Sequence, residues 1–144
     1  MSEQLIVDAN VIAKLYLRDE QCTVNADALF SKFQRREIEL VAPRLIMYEV
    51  PAAIRKAVVQ TRVSEEIGHD AIHSLEHLGL VIIDDSKAKH EAFKLAINYG
   101  CTYYDAMYLL LAEDLDCPFI TADDKLWRPL HYSLPYIVRL ANYT

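Results

Sequence analysis

Short apolar runs rich in branched side chains alternate along this chain with segments of helical periodicity. The runs are LIV at 5–7, LVAP at 40–43, LVII at 80–83 and FIT at 119–121. Strands joined through helical crossovers run parallel, and the crossover helices cover the faces of the sheet. The sequence therefore predicts an α/β fold, a three-layer α/β/α sandwich with a central and mainly parallel sheet.

The segments between these runs carry recognisable helix ends. Ser64, Ser86 and Thr102 stand where N-cap residues are expected, and Gly79 follows a helical segment as a C′ residue would. Pro51 would lie early in its helix or kink it, because proline lacks a backbone donor. We expect helices over 11–19, 23–36, 45–60, 64–78, 86–98 and 102–115, and a last strand, a candidate edge strand, over 135–140.

Length and composition limit the class of protein. The chain has 144 residues, 53% of them hydrophobic, which suits one domain over 1–144. We expect no membrane segment, because no apolar stretch approaches about 18 residues. Three cysteines without a CxxC pair argue against a disulfide framework or a structural zinc site, so a cytoplasmic location is expected.

The formal net charge of -6 argues against a nucleic-acid binder, since phosphate contacts need Lys and Arg. The argument weakens if several acids are clustered to hold Mg²⁺ or Mn²⁺, because bound cations would reverse the sign of the charge where a phosphate must lie.

Acidic side chains follow the predicted strands. Asp8, Glu49 and Asp123 come after three different strands, and Asp105 stands at the start of a helix; Asp84, Asp85 and Asp124 are further acids at this edge. The ligand crevice of such sheets lies beyond the carboxyl ends of the strands. Two charges about 4 Å apart repel by roughly 4 kcal/mol at an effective dielectric near 20, so converging carboxylates predict a hard divalent cation.

Each acid also has a structural interpretation. Asp8 could cap a helix, Asp105 could belong to a capping box, and Asp123 could form an Asx turn. Glu49 is different, because it lies among apolar residues where a lone carboxylate would be costly to bury.

At this point the chain resembles the PIN-domain nucleases and, among them, the small VapC-like toxins of toxin–antitoxin pairs. The segments that match are LIVDANVIAKLY, APRLIMYEVPAAIRK and GCTYYDAMYLLLAEDLDCPFITADDKL, in the order the family has them. The resemblance implies a parallel-sheet α/β/α fold, Mg²⁺- or Mn²⁺-dependent cleavage of RNA, a homodimer, and inhibition by a cognate antitoxin protein.

By the same resemblance, the four acids of the family fall on Asp8, Glu49, Asp105 and Asp123, as catalytic residues and metal ligands. Two polar positions fall on Asn10 and Thr121, which we expect to orient carboxylates. Pro51 departs from the family pattern and leaves the direction of the Glu49 side chain to be determined.

Basic side chains near the acids are candidates for substrate contacts. Lys14 and Arg18 lie four apart on the helix after Asp8, and Lys125 and Arg128 follow Asp123, so all four are predicted to approach the phosphate; a solvated helix face is the alternative.

His69, His73 and His77 are spaced four apart, as in some transition-metal sites. The apolar stripe of their helix places them on its solvent side, without an obvious further ligand, so we expect surface histidines.

Two other functions compete with a ribonuclease. A haloacid-dehalogenase-like phosphatase would need an acid two residues after its nucleophile, where this chain has Asn10, and an amide cannot act as a general acid. A catalytically inactive PIN-like module that binds RNA or protein would agree with the negative charge.

Overall fold

The central element of the molecule is a sheet of five parallel strands in the order β3-β2-β1-β4-β5. The structure is a computed structural model and describes residues 2–84 and 88–143. The strands are β1 (Glu3–Val7), β2 (Ile38–Pro43), β3 (Val81–Ile83), β4 (Phe119–Thr121) and β5 (Ile137–Arg139). The α/β/α sandwich with a parallel sheet is thus confirmed.

Helices connect the strands. They are α1 (Ala9–Ala13), α2 (Thr23–Gln34), α3 (Ile46–Val59), α4 (Glu65–Glu76), α5 (Lys89–Tyr99), α6 (Tyr103–Leu115) and α7 (Asp124–Leu130), followed after β5 by a short 3-10 helix (Leu140–Asn142). None of the helices within the described ranges has the length and apolarity needed to cross a membrane.

The position of β1 in the middle of the sheet explains its composition. Leu5, Ile6 and Val7 are buried because helices cover both faces of a parallel sheet. The register pairs Ile6 with Val41 of β2 and with Phe119 of β4. The carboxyl ends of β1, β2 and β4 therefore meet at one edge of the sheet.

Helix α6 is buried over most of its length. Every residue from 106 to 112 is buried, and the helix packs against α5 and against β1, β2 and β4. A helix that is apolar on all sides belongs in the interior of a protein. This packing holds the N-terminal turn of α6, which carries Asp105, at the same edge of the sheet.

Local sequence signals explain several helix ends. The Oγ of Ser64 accepts a hydrogen bond from the backbone N of Ile67 at 3.2 Å and caps α4 as predicted. Gly100 ends α5 with φ 66°, and Gly79 follows α4 with φ 91°, a region that favours glycine because it lacks a Cβ.

The structure differs from the sequence-based expectations in a few places. Helix α1 ends at Ala13, well short of the predicted 19, and α4 ends at Glu76, short of the predicted 78. Helix α3 contains Pro51 and agrees with the predicted 45–60. The short helix α7, which contains Pro129, was not predicted. The predicted helix start at Ser86 and the acid Asp85 lie outside the described residues.

Candidate active site

The four predicted acids lie where the carboxyl ends of the central strands meet. Asp8 follows β1 directly, and Glu49 lies in the first turn of the helix after β2. Asp123 follows β4, and Asp105 lies in the first turn of α6. Residues far apart in sequence therefore share one edge of the sheet, as the crevice rule for parallel sheets predicts.

Asp8 is held by two polar neighbours. The hydroxyl of Thr121 donates a hydrogen bond to its Oδ2 at 2.8 Å, and Nδ2 of Asn10 lies 3.2 Å from the same oxygen. The Asn10 Oδ1 accepts from the backbone N of Ala122 at 3.0 Å, which fixes the amide. Asp8 stands at the N-cap position of α1 but makes no side-chain cap bond, so the structure does not bear out the capping interpretation of this acid.

Asp8 is buried, with only 7% of the residue exposed, and burial is the largest influence on its pKa. Burial, helped by the charges of Glu49 and Asp105, raises the pKa of Asp8 from 3.8 to about 7. The groups that oppose this rise, the Thr121 hydroxyl and the Ala9 backbone, are neutral. A nearby cation would favour the ionised form.

Glu49 faces the other acids. Its Oε1 accepts a hydrogen bond from the hydroxyl of Tyr108 at 2.7 Å. Burial raises the pKa of Glu49, Tyr108 lowers it, and repulsion from Asp105 raises it again. Helix α3 continues through Pro51, and the Glu49 side chain is directed toward the other acids.

Asp105 is the common neighbour of the other three acids. The charge of Asp105 raises the pKa of both Asp8 and Glu49. The pKa of Asp105 itself is raised by burial and by the charge of Asp123, while hydrogen bonds with Thr102 lower it. An acid that repels three others is the natural centre of a cation site.

The structural interpretations of these acids hold for two of them. The Oγ1 of Thr102 accepts from the backbone N of Asp105 at 3.0 Å, which caps α6. The Oδ1 of Asp123 accepts from the backbone N of Lys125 at 3.0 Å, which caps α7. Capping and cation binding are compatible, because a carboxylate has further lone pairs.

An oxygen-rich, partly buried group of acids fits a hard divalent cation. Among the described residues, the acids do not form the tightest group of metal-ligating atoms. Within residues 2–84 and 88–143, the group in which three ligand atoms all lie within 4.8 Å of one another is formed by His73, Glu76 and His77. The acids at the sheet edge are spaced more widely, so water would complete the coordination of an ion there.

Thr121 links two of the acids. It is fully buried, donates to Asp8 and accepts from the backbone N of Asp123 at 3.0 Å. The bond from Tyr108 to Glu49 was not predicted from the sequence, although Tyr108 lies three residues after Asp105 on one helix, which places both side chains on one face. Its ring stacks on Phe119 with centroids 5.5 Å apart, which fixes the hydroxyl beside Glu49.

The four basic residues differ in their surroundings. The buried Lys14 pairs with Glu20, with Nζ and Oε1 3.3 Å apart, and Arg18 makes two hydrogen bonds to Asp27, of 2.9 and 2.6 Å. Lys125 and Arg128 are exposed on α7, where a guanidinium nitrogen of Arg128 lies 4.0 Å from Oδ2 of Asp124. Their roles as substrate contacts stay predictions.

Comparison with known proteins agrees with this geometry. The family model described as "PIN domain" matches residues 5–129. The chain belongs to the PIN-domain family. This confirms the resemblance drawn from the sequence.

Individual relatives of this PIN-domain chain point the same way. Ribonuclease VapC3 of Pyrobaculum aerophilum is 32% identical over 85% of the chain and 92% of its own length. Ribonuclease VapC1 of Mycobacterium tuberculosis is 29% identical over 86% of the chain and 89% of its own length. A toxin–antitoxin complex from Klebsiella pneumoniae has the same fold, with a TM-score of 0.62, 18% identity, and coverage of 94% of this chain and 97% of that one.

Proposed function

We propose that this PIN-domain chain is a divalent-metal-dependent endoribonuclease, the toxin of a toxin–antitoxin pair. The observation that carries the proposal is the convergence of Asp8, Glu49 and Asp123 around Asp105 at the carboxyl edge of the sheet. The relatives named ribonuclease VapC1 and VapC3, which match most of the chain, support the reaction type.

PIN-domain ribonucleases of the VapC type are generally divalent-metal dependent. For this chain we favour Mg²⁺ or Mn²⁺, because carboxylate, hydroxyl and amide oxygens suit hard cations better than soft ones. The proposed ligands are Asp8 and Asp105 at the centre, with Glu49 and Asp123 completing the set directly or through water.

The residues of the chain would prepare this centre for phosphodiester hydrolysis. A bound divalent ion would supply an activated water and would neutralise the charge on the transferring phosphate. Thr121 and Asn10 hold the Asp8 carboxylate in place, and Tyr108 holds that of Glu49. Such neighbours fix the direction of ligands and so determine how well a site binds its ion.

The phosphatase alternative is not supported by this geometry. Asn10 donates its amide hydrogen to Asp8 and accepts from the backbone of Ala122. It is thus an orienting residue, and it carries no acidic proton for a leaving group.

The proposed substrate is RNA, and the proposed protein partners are an antitoxin and a second copy of the chain. The toxin–antitoxin complex with the same fold supports the antitoxin. The proposed phosphate contacts are Lys14, Arg18, Lys125 and Arg128, the last two exposed on the helix that Asp123 caps.

The extent and location of the protein are also proposals. One PIN-like domain over 1–144 is supported by the single sheet that joins β1, near the start of the chain, to β5, near its end. A cytoplasmic location is supported by the free thiols of Cys22, Cys101 and Cys117.

Cleavage of a mixed RNA pool tests the proposal, with Mn²⁺, with EDTA, and with two variants of α6. Asp105→Asn should reduce metal-dependent cleavage by at least about a hundredfold, because it removes the acid that faces the other three. Asp114→Asn is the matched control, since Asp114 is exposed at the other end of the same helix.

Thermal melts add a readout that does not need the right RNA. Mn²⁺ should raise the melting temperature of the wild type and of Asp114→Asn, and should raise that of Asp105→Asn less. Equal shifts in all three proteins would place the ion elsewhere, and cleavage that survives in Asp105→Asn would overturn the assignment of the site.

A further inference from the structure

Helix α4 carries a second group of metal-ligating side chains, away from the acids of the sheet edge. The spacing of His69, His73 and His77 in sequence suggested one row of histidines. In the structure Nε2 of His69 lies 3.3 Å from Oε2 of Glu65, so this histidine pairs within its own turn. His73, Glu76 and His77 instead bring three ligand atoms within 4.8 Å of one another, all of them exposed.

Glu76 is a third ligand that the spacing of the histidines did not predict. It lies three residues after His73 and next to His77, and residues three and four apart on a helix share a face. Two neutral imidazoles and one carboxylate carry a net negative charge, which favours a dication. The group also lies in the last turn of α4, and the negative end of the helix dipole stabilises cations there.

The ring of His77 is held by one hydrogen bond to the backbone of its own helix. Its Nδ1 lies 2.9 Å from the backbone carbonyl oxygen of His73, and a carbonyl only accepts, so Nδ1 must carry the proton. The lone pair then lies on Nε2, the other ring nitrogen. Metal-binding histidines are commonly held in this way, through a hydrogen bond from the second nitrogen to a carbonyl.

The spacing agrees with a shared ion. The ring centroids of His73 and His77 are 4.6 Å apart, with the planes at 45°. Zinc binds imidazole nitrogen at about 2.0–2.1 Å, so two ligand atoms on one tetrahedral ion lie about 3.4 Å apart. The ligand atoms here lie within 4.8 Å of one another, and because the side chains are exposed, rotations about their side-chain bonds can bring them closer.

We propose that His73, Glu76 and His77 bind a borderline transition-metal dication such as Zn²⁺. Two imidazole nitrogens and one carboxylate oxygen form the ligand set, and water fills the fourth position. The donor set separates this site from the acids at the sheet edge, because imidazole suits Zn²⁺, Cu²⁺ and Ni²⁺, whereas carboxylate and water suit Mg²⁺ and Mn²⁺.

Histidine NMR signals test the site residue by residue, because the chain has 5 histidines. Titration of the intact protein with Zn²⁺ should shift the ring signals of His73 and His77 together and to saturation, and should leave His69 unshifted. Titration with Mg²⁺ should leave all of them in place. Equal movement of His69, or no movement at a several-fold excess of Zn²⁺, would overturn the proposal.

Matched variants of α4 complete the experiment. His73→Gln and Glu76→Gln should each weaken Zn²⁺ binding at the His77 ring by at least about tenfold, because each removes a ligand. His69→Gln, one turn away on the same helix, should leave it within about twofold. These side chains are exposed, so melts without metal should match the wild type. Loss of binding in His69→Gln, or its survival in the other two variants, would refute the ligand set.

Discussion

The unfavourable burial of the Asp8 charge should be measurable as a pH-dependent stability. In the folded chain burial, with Glu49 and Asp105, raises the pKa of Asp8 from its ordinary 3.8 to about 7. Between these two values the native protein binds a proton that the unfolded chain has lost. The free energy of unfolding must therefore fall as the pH rises through this window, and above about pH 7 the full penalty is present.

The size of the effect follows from the two values. One pKa unit corresponds to about 1.4 kcal/mol at 25 °C, so a rise from 3.8 to about 7 corresponds to about 4 kcal/mol. Asp8→Asn removes the charge and keeps the shape of the side chain. Without divalent ions, the variant should gain stability relative to the wild type as the pH rises, by up to about 4 kcal/mol.

Urea unfolding in EDTA at about pH 4.5 and about pH 8 measures this difference. Comparing variant with wild type at each pH cancels the contribution of the other titrating groups. Asp70→Asn, on the exposed face of α4, is the control and should show the same difference from wild type at both pH values. If the advantage of Asp8→Asn stays constant or shrinks as the pH rises, Asp8 does not carry a buried, repelled charge.

Two side chains that form hydrogen bonds with the acids lead to further predictions. Thr121→Val keeps the shape of a fully buried side chain but removes its bonds to Asp8 and to the backbone of Asp123, and should cost about 2–3 kcal/mol in urea unfolding at neutral pH. A cost near zero would show that neither bond matters. Tyr108→Phe keeps the ring on Phe119 but removes the 2.7 Å bond to the half-buried Glu49. It should cost about 1 kcal/mol and weaken the Mn²⁺-induced rise in melting temperature, and an unchanged rise would contradict a role in holding Glu49.

Much of the fold could be predicted because its signals are local. The apolar runs that became β1, β2 and β4 are visible without any tertiary information, and so is the cap at Ser64. Helix α7 was not predicted. Proline inside a segment usually indicates the end of a helix, but here Pro129 lies within a helix that packs against β5.

For the candidate site, too, the sequence predicted some features and only the tertiary structure showed the others. The sequence by itself predicted that acids would meet at one edge, because they follow strands or open a helix and parallel strands bring such residues together. The resemblance to the PIN-domain nucleases then selected Asp8, Glu49, Asp105 and Asp123 among them. Only the tertiary structure decided that Asp105 faces the other three, that Tyr108 holds Glu49, and that Glu76 joins two of the histidines on α4. Periodicity in the sequence shows which face of a helix or strand a side chain lies on. The packing of helices and strands decides which of these side chains come into contact, and such contacts shift pKa values and form binding sites.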